Sequence, residues 1–261
     1  MSFLLQLGLT LVLGHLLSTT IVSVLLHRGL THGAVGLSPR MRAVAAHAGF
    51  WVTGVDAKAW VTMHRLHHRH SDAPEDPHSP RVHGLLGVAW TTLVSYMRVL
   101  HGLVGGDAAL ARVAPDVPHS LPPRLLRFAW FLPPVVHGLL ALALGLAMGW
   151  WGVALGVALS GEPVLRSWLV NGLGHARGYR NHDTADGSTN NALAAWLVAG
   201  EGLQNNHHHA PARADFAHRP GEVDLGFVAC RALAAIGLLS LRLEPAWLLP
   251  PDREARAPGA R

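Results

Sequence analysis

Cysteine and charge are what this chain has least of. Cys230 is the single cysteine in 261 residues. One thiol excludes an intrachain disulfide framework and any thiolate cluster, so iron–sulfur and structural zinc–thiolate sites fall away. A bound metal must be held by nitrogen and oxygen. Charged residues make up 14% of the chain and hydrophobic ones 50%, against roughly 25% charged in soluble domains. Mean hydropathy is positive. No basic run alternates with aromatics, so the net charge of +5 points to arginine-rich cytoplasmic loops and not to a nucleic-acid partner. A pair of Glu-x-x-His motifs on facing helices is also missing, which excludes the carboxylate-bridged four-helix di-iron bundle.

Histidine is what the chain has in excess, 19 in all. The clusters are His27-Arg-Gly-Leu-Thr-His32, His64-Arg-Leu-His67-His68, Asn171-Gly-Leu-Gly-His175 and Gln204-Asn-Asn-His207-His208-His209. Each borders a long apolar stretch. Neutral imidazoles ligate iron, zinc and copper.

Residues 3–26 carry no formal charge and are long enough to cross a bilayer. Without a basic start or a cleavage site they read as a retained span, with His15 packed inside it. Residues 125–149 form a second span, kinked at Pro133 and Pro134 and ended by Trp150 and Trp151 at an interface. Residues 152–171 return as a third, in which Glu162 and Arg166 are spaced to pair. Residues 41–61 read as a re-entrant or interfacial piece, 84–104 and 226–242 as surface helices, and 69–83 and 105–124 as proline-rich connectors. The expectation is one all-α integral membrane domain over residues 1–250, with about three transmembrane helices, interfacial helices and a polar, disordered tail at 251–261. This topology puts all four clusters on one face with Arg28, Arg40, Arg42, Arg65, Arg69, Arg81, Arg177 and Arg180. Positive charge makes that face cytoplasmic, in a cell inner membrane.

Within the second cluster, spacings of three and four set His64 beside His67 and His68 on one helical face. His27 and His32 are five apart, which an α-helix would separate. A helix ending at Gly29 would let His32 turn back. The candidate ligands are His27, His32, His64, His67, His68, His175, His207 and His208. Eight nitrogens exceed the roughly four to six positions of one ion, so two adjacent metals are expected. A metal transporter would place its ligands at mid-bilayer, whereas these clusters lie outside the spans.

The segments HRGLTH (27–32), WVTMHRLHH (60–68), EDPHSP (75–80), NGLGHARGYRN (171–181) and GEGLQNNHHHAP (200–211) resemble the membrane fatty-acid desaturases, in particular bacterial acyl desaturases related to stearoyl-CoA desaturase. The resemblance covers most of residues 10–230. It implies two iron ions held by the eight histidines, Asn171 acting through a water, and a long acyl chain linked to CoA, acyl carrier protein or phospholipid. Dioxygen would be the oxidant, and a ferredoxin, rubredoxin or cytochrome b5-type protein the electron donor. Hydroxylation or ketolation on the same scaffold is the alternative reaction. Gln204 stands where the family has a histidine, so it is either an oxygen ligand or a tolerated variant, with His209 as a possible substitute. His78 is expected to be structural or to lie behind the ligands. His47, His83, His101, His119, His137, His182 and His218 are read as ordinary. Arg177 and Arg180 are candidates for the substrate head group, competing with simple contact to membrane lipids.

Overall fold

The computed structural model describes residues 3–129 and 131–241, which are mainly helical. The tail at 251–261, the stretch 242–250 and the side chain of Glu162 lie outside the described residues.

The first helix, α1, runs Phe3–Thr31 and is long and apolar enough to cross a membrane. Its first half exposes leucines such as Leu4 and Leu13, and its second half is buried from Ser18 onward. From Thr20 to Thr31 the helix is π-helical. A short strand, β1 (Val35–Leu37), follows. Short helical turns at Pro39–Ala43 and Gly49–Thr53 then lead to α2, Ala57–His70. These turns fill the segment expected to be re-entrant.

Asp56 starts α2. Its carboxylate accepts from the N–H of Ala59 at 3.0 Å, the usual N-cap contact. The same buried carboxylate accepts from Ser120 N–H at 2.6 Å and meets His119 Nδ1 at 2.9 Å. The proline-rich connector is thereby tied to the base of the histidine-bearing helix. Next comes α3, Gly87–Val104, an amphipathic helix with one face in the core. Tyr96, Met97, Leu100 and Leu103 pack against Phe50, Ala59 and Met63, while Trp90 faces out.

The apolar hairpin is α4 (Leu132–Met148) and α5 (Trp150–Ser167). Small residues make it tight: a Cβ on Gly152 would lie 1.9 Å from the Leu144 carbonyl oxygen. The apolar stretch of α4, Pro134–Met148, is shorter than α1, and among the described residues α1 alone meets both length and apolarity for a crossing. Leu139, Leu142 and Leu146 on α4 are nonetheless exposed. α5 continues through a π-helical turn at Trp168–Leu173 into Gly174–Ala176.

Two short helices complete the cap: α6 (Gln204–His209) and α7 (Leu225–Ala235). A second strand, β2 (Leu239–Leu241), pairs antiparallel with β1, Gly36 opposite Ser240. This pairing adds a small sheet to the expected all-helical fold.

Candidate metal centre

α2 presents His64, His67 and His68 as its sequence spacing requires. The route to His27 and His32 differs from the expected break at Gly29. The helix continues as a π-helix, whose bonds join residues five apart. The His32 N–H donates to the His27 carbonyl at 3.2 Å, and Thr31 Oγ1 to the Leu26 carbonyl at 2.9 Å. Widening the turn to this period puts the two imidazoles on one face. Gly29 serves close packing instead: a Cβ there would fall 2.5 Å from Leu37 Cδ1.

Asn171 and His175 are delivered by the π-helical turn after α5. The six-residue α6 is too short to hold itself. Its two asparagines clamp it. Asn206 accepts from the side chains of Asn181 and Asn190 and donates to the Phe216 carbonyl and to Glu222, all at 2.8 Å. Asn205 accepts from the N–H groups of Asn181 and His182.

The eight sequence-selected histidines come together in two groups. His27, His32, His64, His68 and His207 form one, and His67, His175 and His208 the other. Within each group the potential ligand atoms lie within 4.8 Å of one another. Two nitrogens on opposite sides of an ion at about 2.1 Å each are about 4.2 Å apart, so each group is of a size for one metal. His64 Nε2 lies 3.1 Å from His68 Nε2. His207 Nε2 is 3.0 Å from both His68 Nε2 and His27 Nε2. Trp60 stacks on His64.

Four carboxylates stand behind four of these rings. Nδ1 of His27 is 2.6 Å from Glu201, that of His67 2.9 Å from Asp76, that of His175 3.1 Å from Asp72, and that of His208 2.6 Å from Asp186. A carboxylate at Nδ1 fixes the proton there and leaves the Nε2 lone pair for a cation, the usual support of a metal-binding histidine. Burial, then the neighbouring imidazoles, push His32, His64, His68 and His207 well below the ordinary histidine range. Burial lowers His67 and His208 too, although Asp186 pulls His208 back upward. Against the upward push of burial, the bond from His175 holds Asp72 below the ordinary carboxylate range, and that from His208 does so for Asp186. Imidazoles with carboxylates at Nδ1 fit divalent metal ions.

Sequence reasoning missed these acids, although Asp76 and Glu201 lie inside quoted motifs. Glu201 has a further partner in the fully buried Arg28. That guanidinium donates to Glu201 at 2.9 Å, to both oxygens of Asp224 at 2.8 and 2.9 Å, and to the Ala214 carbonyl at 2.8 Å. It also contacts Ser23 and lies over the Phe216 ring. It joins α1 to the segment just before α6 and to the N-cap of α7.

The other side chains singled out in the sequence lie around the two groups. Gln204 is buried beside Gly174 and donates its amide to the Glu201 carbonyl at 2.8 Å. His209 is exposed and stacks on His182, outside both groups. Arg180 donates to the carbonyls of Thr184, Asp186 and Ser188 and braces its own loop, while Arg177 is exposed. Arg166 reaches the hydroxyls of Ser18 and Thr19 on α1. Asn171 donates to Ser167 Oγ at 3.1 Å.

A cavity of about 660 Å³ begins at His64, Glu201 and Asn171 and runs between α3, α4 and α5 past Tyr96, His137 and Gly138. Its size is that of a small-ligand site.

The model of the family described as fatty acid desaturase matches residues 2–220. The sn-1 stearoyl-lipid 9-desaturase of Anabaena variabilis is 34% identical over 180 residues, covering 69% of this chain and 62% of its own length. The chloroplastic palmitoyl-monogalactosyldiacylglycerol delta-7 desaturase of Arabidopsis thaliana is 31% identical over 227 residues, 83% of this chain and 56% of its own. The hex-5-enoyl-[acyl-carrier protein] acetylenase of Moorena producens is 32% identical over 240 residues, 84% and 71%. The chain spans about three fifths of the length of the first two relatives. With its histidine groups, their carboxylates and the matching family model, the chain belongs to the fatty acid desaturase family.

Proposed function

We propose that the protein is an oxygen-dependent fatty-acyl desaturase of the cell inner membrane, with two irons held on the cytoplasmic side by His27, His32, His64, His67, His68, His175, His207 and His208. The observation that carries this reading is the apolar cavity that starts at the histidine groups. An unactivated methylene offers no polar handle, so an enzyme must select it by position. When bound, the metal pair supplies the reduction of dioxygen to water and the removal of two hydrogens from adjacent carbons. The chain's own residues do the rest. Glu201, Asp76, Asp72 and Asp186 hold the imidazole protons on Nδ1, and Trp60 fixes the plane of His64. Tyr96, accepting from Asp56 N–H at 2.7 Å, keeps α3 against α2 along the cavity wall.

The substrate is an acyl chain carried on CoA, acyl carrier protein or a lipid. Electrons come from a small redox protein such as a ferredoxin, rubredoxin or cytochrome b5-type donor. Asn171 holds a water toward the metals, and Arg177, exposed two residues beyond His175, meets the head group. Lipid profiling of a host with and without the chain tests the proposal. New monounsaturated acyl chains are expected, and an alcohol or ketone with no alkene would replace desaturation by hydroxylation or ketolation.

A further inference from the structure

The two histidine groups are unequal, five rings against three. Beside the smaller group lies His78. It is 1% exposed, and among the described residues neither ring nitrogen has a hydrogen-bond partner. A buried polar group left without a partner costs about 1–3 kcal/mol, so an imidazole with both nitrogens unbonded calls for an occupant. Its ring centre is 4.5 Å from that of His67, and His67, Asp76 and His78 bring ligand atoms within 4.8 Å of one another. His67 is shared between this trio and the smaller histidine group with His175 and His208.

The loop that carries His78 is built into this group. Asp76 accepts from the His78 N–H at 3.0 Å while bonding His67. Ser79 Oγ donates to Asp72 at 2.5 Å, and Asp72 bonds His175. The carboxylates supporting two of the three rings thus hold the segment from which His78 projects. Gln204 brings no imidazole, and its amide nitrogen is engaged with Glu201.

Resting on the two-metal reading above, we propose that His78 is a fourth imidazole ligand of the second metal position, supplying in this chain the nitrogen that Gln204 does not. The position then has His67, His78, His175 and His208, within the roughly four to six ligands a divalent ion takes from nitrogen and oxygen.

The test uses the full chain in detergent, loaded with cobalt(II). Wild type is expected to hold two ions. His78→Ala should weaken the second by tenfold or more and leave the first unchanged. A ring acting from behind the ligands could give a similar loss, so a second variant decides. His78→Cys should place a thiolate on the metal and produce a sulfur-to-cobalt charge-transfer band. Wild type lacks that band, because Cys230 is buried in the α7 core away from both groups. Two cobalt ions at wild-type affinity in His78→Ala would overturn the assignment, as would a folded, cobalt-loaded His78→Cys without the band. Fewer than two ions in wild type would remove the two-metal reading and this assignment with it. Two ions in wild type with unaffected variants would remove the assignment alone.

Discussion

His67 and His208 place their Nε2 atoms 3.3 Å apart, while each holds a carboxylate at Nδ1, Asp76 at 2.9 Å and Asp186 at 2.6 Å. With both protons drawn to the carboxylates, two lone pairs face each other. A cation between them turns that repulsion into ligation.

Asp186→Ala releases the His208 ring and its tautomer. Metal affinity at the second position is expected to fall about 10–100-fold, with the first position unchanged. Metal titration that resolves the two binding phases checks it.

Arg28→Met leaves Glu201 and Asp224 buried without their cation. Breaking a buried pair from one side costs about 3–5 kcal/mol. Thermal unfolding should show a lower midpoint. Arg28→Lys should not restore it, because an ammonium cannot match the two-pronged contact with Asp224.

Gly138→Leu probes the cavity. A Cβ at Gly138 meets nothing within 4 Å, and the residue lines the cavity on α4. Leucine also favours a helix over glycine. The fold should hold while products shift toward shorter acyl chains, measured by gas chromatography of host lipids. An unchanged chain-length profile would remove α4 from the substrate path.

Much of this site was legible because local periodicity made it so. His64, His67 and His68 follow from α-helical spacing, and every histidine chosen from the clusters reaches one of the two groups. The π-helical turn that brings His27 and His32 together leaves no mark in a pattern read at 3.6 residues per turn. Asp186 sits in a polar loop with no periodicity, and only tertiary folding brings it to His208. The bonds of Arg180 go to backbone carbonyls of its own loop, which sequence does not display. The pairing of Val35–Leu37 with Leu239–Leu241 joins segments about two hundred residues apart, beyond the reach of local patterning.

Metal analysis of the full chain, purified from iron-replete cells, tests the two-position centre most directly. Two irons per chain are expected in wild type, falling toward one or none when His64 or His68 is replaced by alanine in protein that still folds. A single iron in wild type, or two irons retained in those folded variants, would contradict it.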